Sequence, residues 1–140
     1  MRYLGIDHGQ KRTGLAISDA SETLVSPHMV IETQSSTELL RQILLVLDAE
    51  NIGAIVIGLP LNMDGSEGPR AKHVRVFAAE LAAKTDCRIT FHDERLSSFE
   101  ADHLAVGLEL TRKKKKKRLD AIAAAAILRS FIDQKNLGNP

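Results

Sequence analysis

The run Ala54-Ile55-Val56-Ile57-Gly58-Leu59, apolar at every position and ended by Pro60, constrains the fold more than any other stretch. Six consecutive apolar residues suit a strand covered on both faces, because a half-exposed strand would alternate with polar residues. Such a strand needs helices to cover it. The flanking segments supply them: Glu38 to Glu50 carries Leu39, Leu40, Ile43, Leu44 and Leu47 at helical spacing, and Pro69 opens a helix through Lys84.

The remaining elements complete a mixed α/β pattern. Residues 2–7 and 13–18 read as strands joined by a short polar link with Gly9, an antiparallel hairpin, and a third strand is expected at Met29–Thr33 after Pro27. Arg88–His92 reads as a further strand. Ser97 and Glu100 form a capping box for a helix from 98 to about 110, and a last, Ala-rich helix is expected from Asp120 to about Asp133. Hairpin strands followed by strand–helix–strand units predict a mixed sheet with helices on its faces, within one domain spanning 1–140.

Composition narrows the function. A chain of 140 residues with 44% hydrophobic and 26% charged residues is neither disordered nor fibrous. No run approaches the roughly 20 apolar residues of a membrane span, and no signal-peptide pattern opens the chain, so a cytoplasmic protein is expected. Cys87 is alone, which leaves no cysteine zinc site. The five histidines lack His-Glu-x-x-His spacing, and no Gly-x-x-x-x-Gly-Lys-[Ser/Thr] loop occurs. His92 reads as structural.

Three acidic positions stand out. Asp7 and the pair Asp93-Glu94 follow strand-like runs, and Asp120 opens the last helix. Sheets of this kind form sites at the carboxyl ends of parallel strands. Each acid also has an ordinary role: Asp7 in a turn, Asp120 as an N-cap. However, 120, 124, 127 and 131 share one helix face with Ala124, Ile127 and Phe131, which turns Asp120 towards the sheet. Adjacent residues on a strand point to opposite faces, so only one of Asp93 and Glu94 faces Asp7, and alternation does not say which. Clustered carboxylates repel unless a cation joins them, and their hard oxygens suit Mg²⁺ or Mn²⁺, the ions of phosphoryl transfer.

Basic residues point to the substrate. Arg112, Lys113, Lys114, Lys115, Lys116, Lys117 and Arg118 are seven of 19 cationic residues in one stretch. A charge run is often just a solvated loop, but this one precedes Asp120, and a dense block of this kind attracts phosphate backbones without reading sequence. Lys11 and Arg12, in the turn after Asp7, are placed to meet a phosphate. Asn62, Asp64, Ser66 and Glu67 form a polar loop, for which substrate contact is the lesser reading.

Four stretches together resemble the YqgF/RuvX family of Holliday-junction-resolvase-like proteins, described as pre-16S rRNA nucleases. They are Gly5-Ile6-Asp7-His8-Gly9 with Arg12-Thr13-Gly14, Val56-Ile57-Gly58-Leu59-Pro60-Leu61-Asn62-Met63-Asp64-Gly65, Asp93-Glu94-Arg95-Leu96-Ser97, and Leu119-Asp120-Ala121-Ile122-Ala123-Ala124. The resemblance implies an RNase H-like fold, a five-stranded mixed sheet flanked by helices. It also implies a divalent-metal nuclease acting at the 5′ end of pre-16S rRNA in ribosome biogenesis, with Asp7, Glu94 and Asp120 as its acids and the 112–118 stretch on the RNA. Pre-ribosomal particles are further expected partners, and the oligomeric state stays open. Two alternatives remain: a resolvase of branched DNA, and a non-catalytic assembly factor that binds nucleic acid. A sugar-kinase or actin-like ATPase needs two such domains and fails on size.

Overall fold

The computed structural model describes residues 1–97 and 112–137, with side chains in the second segment from Leu119 onward. The expected helix at 98–110 lies outside the described residues. Five strands form one sheet: β1 (Tyr3–His8), β2 (Arg12–Ser18), β3 (Val25–Glu32), β4 (Ala54–Leu59) and β5 (Arg88–Asp93), in the order β3-β2-β1-β4-β5. The β1–β2 and β2–β3 pairs are antiparallel, and β1–β4 and β4–β5 are parallel. The carboxyl ends of β1, β4 and β5 therefore share one edge.

Every residue of β4 is buried, as its unbroken apolar run requires. Its alternate side chains serve two cores. Ile55, Ile57 and Leu59 pack with Leu4, Ile6, Leu15 and Ile17 beneath α1 (Ser36–Ala49) and α2 (Pro69–Ala82). On the opposite face Ala54 and Val56 join Tyr3, Ile127, Leu128 and Ile132 beneath the last helix, α3 (Arg112–Leu137). The order is helix pair, sheet, helix.

Two element starts differ from expectation. β3 begins at Val25 and contains Pro27, with a register shift between Leu15 and Ala16 on its partner β2. Proline is tolerated because β3 is an edge strand, and the irregularity there removes ladder hydrogen bonds Pro27 could not make. α3 begins at Arg112, eight residues before Asp120. Lysine and arginine are good helix formers, and neither Gly nor Pro interrupts 112–137, so the basic block joins the alanine-rich part as one helix. Asp120 is thus a third-turn residue and not an N-cap.

Candidate active site

The alternation of β1 sends Leu4 and Ile6 to the α1–α2 core and Gly5 and Asp7 to the α3 face. Asp7 lies opposite Gly14 of β2. A Cβ on Gly14 would collide with the backbone carbonyl of Asp120; only glycine lets α3 settle this deeply on β2. Ala124 and Ile127 on the same helix face are buried against the sheet, as the spacing 120, 124, 127, 131 predicts. That approach carries Asp120 to the end of the sheet where Asp7 sits.

Glu94 arrives from β5. Asp93 ends that strand and caps the single 3₁₀ turn Glu94–Leu96, its carboxylate accepting from the Arg95 backbone N–H at 2.9 Å. The same carboxylate pairs with the Arg95 guanidinium at 2.7 Å, which takes Asp93 out of the site. The turn directs Glu94 over Gly58 of β4, where an added Cβ would stand 2.7 Å from Glu94 Oε1 and 2.6 Å from Ile127 Cδ1. Gly58 is thus the floor of the Glu94 slot.

Glu94 and Asp7 are hydrogen-bonded, carboxyl to carboxyl. Burial, then the Asp7 charge, push the Glu94 carboxyl up to about 8. Burial also raises Asp7, the Asp120 charge adds to the rise, and the Glu94 bond and the Arg70 charge oppose it. Both carboxyl groups are therefore harder to ionise than isolated acids. Like charges this close cannot both ionise without a counter-charge.

The third acid is paired with an arginine. Arg12 Nε donates to Asp120 Oδ2 at 2.7 Å, so Arg12 meets a carboxylate rather than standing open for a phosphate. Lys11 is exposed in the turn. Among the described residues no three Asp, Glu, His or Cys are gathered closely enough to hold a metal ion as they stand. The donor chemistry nevertheless fits a hard divalent cation. Two carboxyl groups already share a site that needs positive charge, a third carboxylate bears on one of them, and the set is all oxygen.

Arg70, in the first turn of α2, escaped the sequence reading. Its charge lowers the pKa of Asp7, Glu94 and His8, so it is the cation that the acid pair feels directly. Its signal was Gly68-Pro69-Arg70, a helix start following a strand end on the acid-bearing edge. The 61–68 loop closes on itself: Asn62 N–H donates to the Ser66 carbonyl at 2.9 Å, and Gly65 N–H to the Asn62 carbonyl at 2.9 Å. Gly65 has φ +88°, and Arg95 Nη1 anchors the loop through the Met63 carbonyl at 3.1 Å. His92 is structural, buried and bonded through Nε2 to Ser130 Oγ at 2.9 Å.

A mixed sheet in this order, with carboxyl groups at the ends of its parallel strands, is that of an RNase H-like domain. The Thermus thermophilus RuvC in complex with Holliday junction substrate superposes with a TM-score of 0.65 over 99% of this chain and 97% of RuvC, at 18% identity. The Fowlpox virus resolvase in complex with Holliday junction DNA gives 0.60 over 96% and 99%, at 12% identity. These likenesses establish the fold. Residues 1–134 match the family model described as RuvX: Holliday junction resolvase, and the chain belongs to that family. A proposed pre-16S rRNA nuclease of Paramagnetospirillum magneticum is 40% identical over 96% of this chain and 87% of the relative. Another with the same name, from Bartonella bacilliformis, is 40% identical over 93% and 81%. Membership places the chain among nucleases, which are hydrolases. Among the described residues no helix is long and apolar enough to cross a membrane.

Proposed function

We propose that this chain is a divalent-metal-dependent nuclease that processes the 5′ end of pre-16S rRNA in the cytoplasm, with Asp7, Glu94 and Asp120 as its catalytic acids. The observation that carries the reading is the half-buried Asp7–Glu94 carboxyl pair at the carboxyl edge of the sheet, each group raised by burial. In a family of nucleases, a pair of that kind is a cation site awaiting its charge. Asp7, Glu94 and Asp120 would hold Mg²⁺ or Mn²⁺, which when bound activates a water for in-line attack on phosphorus and offsets charge on the leaving oxygen.

The chain's own residues do the rest. Positive charge entering the site favours the ionised form of both Glu94 and Asp7. Arg12 holds Asp120 until a competing anion, the substrate phosphate, draws its guanidinium away. Arg70 adds fixed positive charge at the acid pair. Lys11 and the helical stretch Arg112–Arg118 attract the backbone by charge, without reading bases.

The test is cleavage of pre-16S rRNA and of a four-way DNA junction side by side, with and without Mg²⁺, mapping product ends. Mg²⁺-dependent cleavage of the rRNA precursor at its 5′ side supports the proposal. Cleavage of the junction alone establishes a resolvase. Binding of either without cleavage in saturating Mg²⁺ establishes a non-catalytic assembly factor.

A further inference from the structure

On the face of the sheet away from α3, the β1–β2 turn forms one wall of a groove. A cavity of about 340 Å³ bounded by the turn, Gln34, Ser36 and His73 adjoins another of about 220 Å³ that reaches Pro69 and Arg70. The two share His8, Gly9, Gln10 and His73, so the groove runs from the start of α1 to the start of α2. Its wall begins at His8, the residue after Asp7 on β1, so the groove starts one residue from the acid pair, with Arg70 at its α2 end. Cavities of about 300–1,000 Å³ enclose small ligands, and the larger chamber lies at the lower end of that range.

The lining has the chemistry of a base platform. The His8 ring is fixed by Thr13 Oγ1 at 3.1 Å and stacks on Phe77 with centroids 4.1 Å apart and planes 10° from parallel. His73 lies parallel to His8, with 6° between planes and centroids 5.5 Å apart, and is itself exposed. Val76, 58% exposed, borders the same chamber. Flat rings, an apolar neighbour, the amides of Gln10 and Gln34, and an arginine at one end match base, sugar edge and phosphate in turn. A base inside a duplex cannot enter such a chamber unless it leaves its stack.

We propose that this groove takes one unpaired nucleotide of the substrate strand beside the scissile phosphate, its base on His73 and its phosphate towards Arg70. The assignment rests on the nuclease reading and adds to it that the substrate is single-stranded next to the cut.

The experiment is equilibrium binding in excess chelator, with the RNA verified intact afterwards. The probe is a short single-stranded RNA carrying 2-aminopurine at successive positions, compared with the same strand annealed to its complement. One position is expected to change emission on binding. His73→Ala removes that change and weakens single-strand binding by about 5- to 150-fold, the range of one base–ring stack, leaving duplex binding unaltered. Gln34→Ala, with the rings intact, gives a smaller loss of the same selectivity. Equal losses on both forms, or none on either, overturn the proposal, and a free nucleoside monophosphate binding as tightly as the strand overturns its assignment to the strand. Because nothing is cleaved, this result stands apart from the fate of the nuclease reading.

Discussion

Arg12 and Asp120, 108 positions apart in the chain, meet at 2.7 Å between Nε and Oδ2. The contact joins the β1–β2 hairpin to α3 and occupies an acid proposed for the metal. Both side chains are about 30% exposed, so the pair is partly screened, and pairs of that kind contribute at most about 1 kcal/mol. Arg12 therefore competes weakly with a cation for Asp120. Arg12→Gln is expected to tighten Mn²⁺ binding by up to about fivefold, measured calorimetrically without nucleic acid, and to weaken RNA binding. An unchanged Mn²⁺ affinity contradicts the competition.

Two glycines separate stability from activity. At Gly14 an added methyl meets the Asp120 backbone carbonyl, which cannot move without shifting α3. Gly14→Ala is expected to destabilise the fold by about 1–3 kcal/mol or more, read by denaturant unfolding. At Gly58 the obstacles are the Glu94 side chain, at Oε1 and Cγ, and Ile127 Cδ1, side-chain atoms that can swing aside where a backbone carbonyl cannot. Gly58→Ala is expected to melt close to the wild type while losing most cleavage, because Glu94 is the group displaced. Equal stability losses in the two variants would show that Gly58 is not reserved for Glu94.

The raised carboxyl groups set a pH signature. The Glu94 carboxyl is raised in the folded chain from 4.5 to about 8, and burial raises Asp7 as well. Between those pH values the folded state binds more protons than the unfolded chain, so stability falls as pH rises from about 4.5 to about 8 and levels beyond. Melting in chelator is expected to drop by several degrees across that window. Glu94→Gln flattens the profile, and so does added Mn²⁺, which supplies the missing charge. A wild-type profile that rises from pH 5 to 8 in chelator contradicts the pairing.

The basic helix start acts through phosphates. Replacing Lys115, Lys116 and Lys117 with Gln is expected to lower affinity similarly for all RNA sequences. The slope of log affinity against log salt shrinks by roughly 0.7 per lost contact on single strands. Filter binding at several salt concentrations checks it, and an unchanged slope excludes the stretch from the interface.

What could be read from the residues followed from local physics. β4 was legible because an uninterrupted apolar run closed by Pro60 has few other uses, and α1 because Leu39, Ile43 and Leu47 repeat at the helical period. The start of α3 was not legible, since seven cations in a row resemble a solvated loop as much as the first turns of a helix. β3 was shortened because Pro27 reads as a strand boundary until its edge position is known. Strand alternation left Asp93 and Glu94 undecided, and family resemblance favoured Glu94. The deciding geometry is a 3₁₀ turn in which Asp93 caps Arg95, frees Glu94, and produces no periodic signal. Arg70 was missed because its partners, Asp7 and Glu94, lie far away in the chain and become its neighbours only on folding.

The most direct measurement is the rate of Mg²⁺-dependent cleavage of pre-16S rRNA by Asp7→Asn, Glu94→Gln and Asp120→Asn, each verified as folded by its melting transition. Each single change is expected to lower the rate by at least about a hundredfold. Cleavage near the wild-type rate by any one of the three, with its fold intact, would contradict a catalytic centre built from these acids.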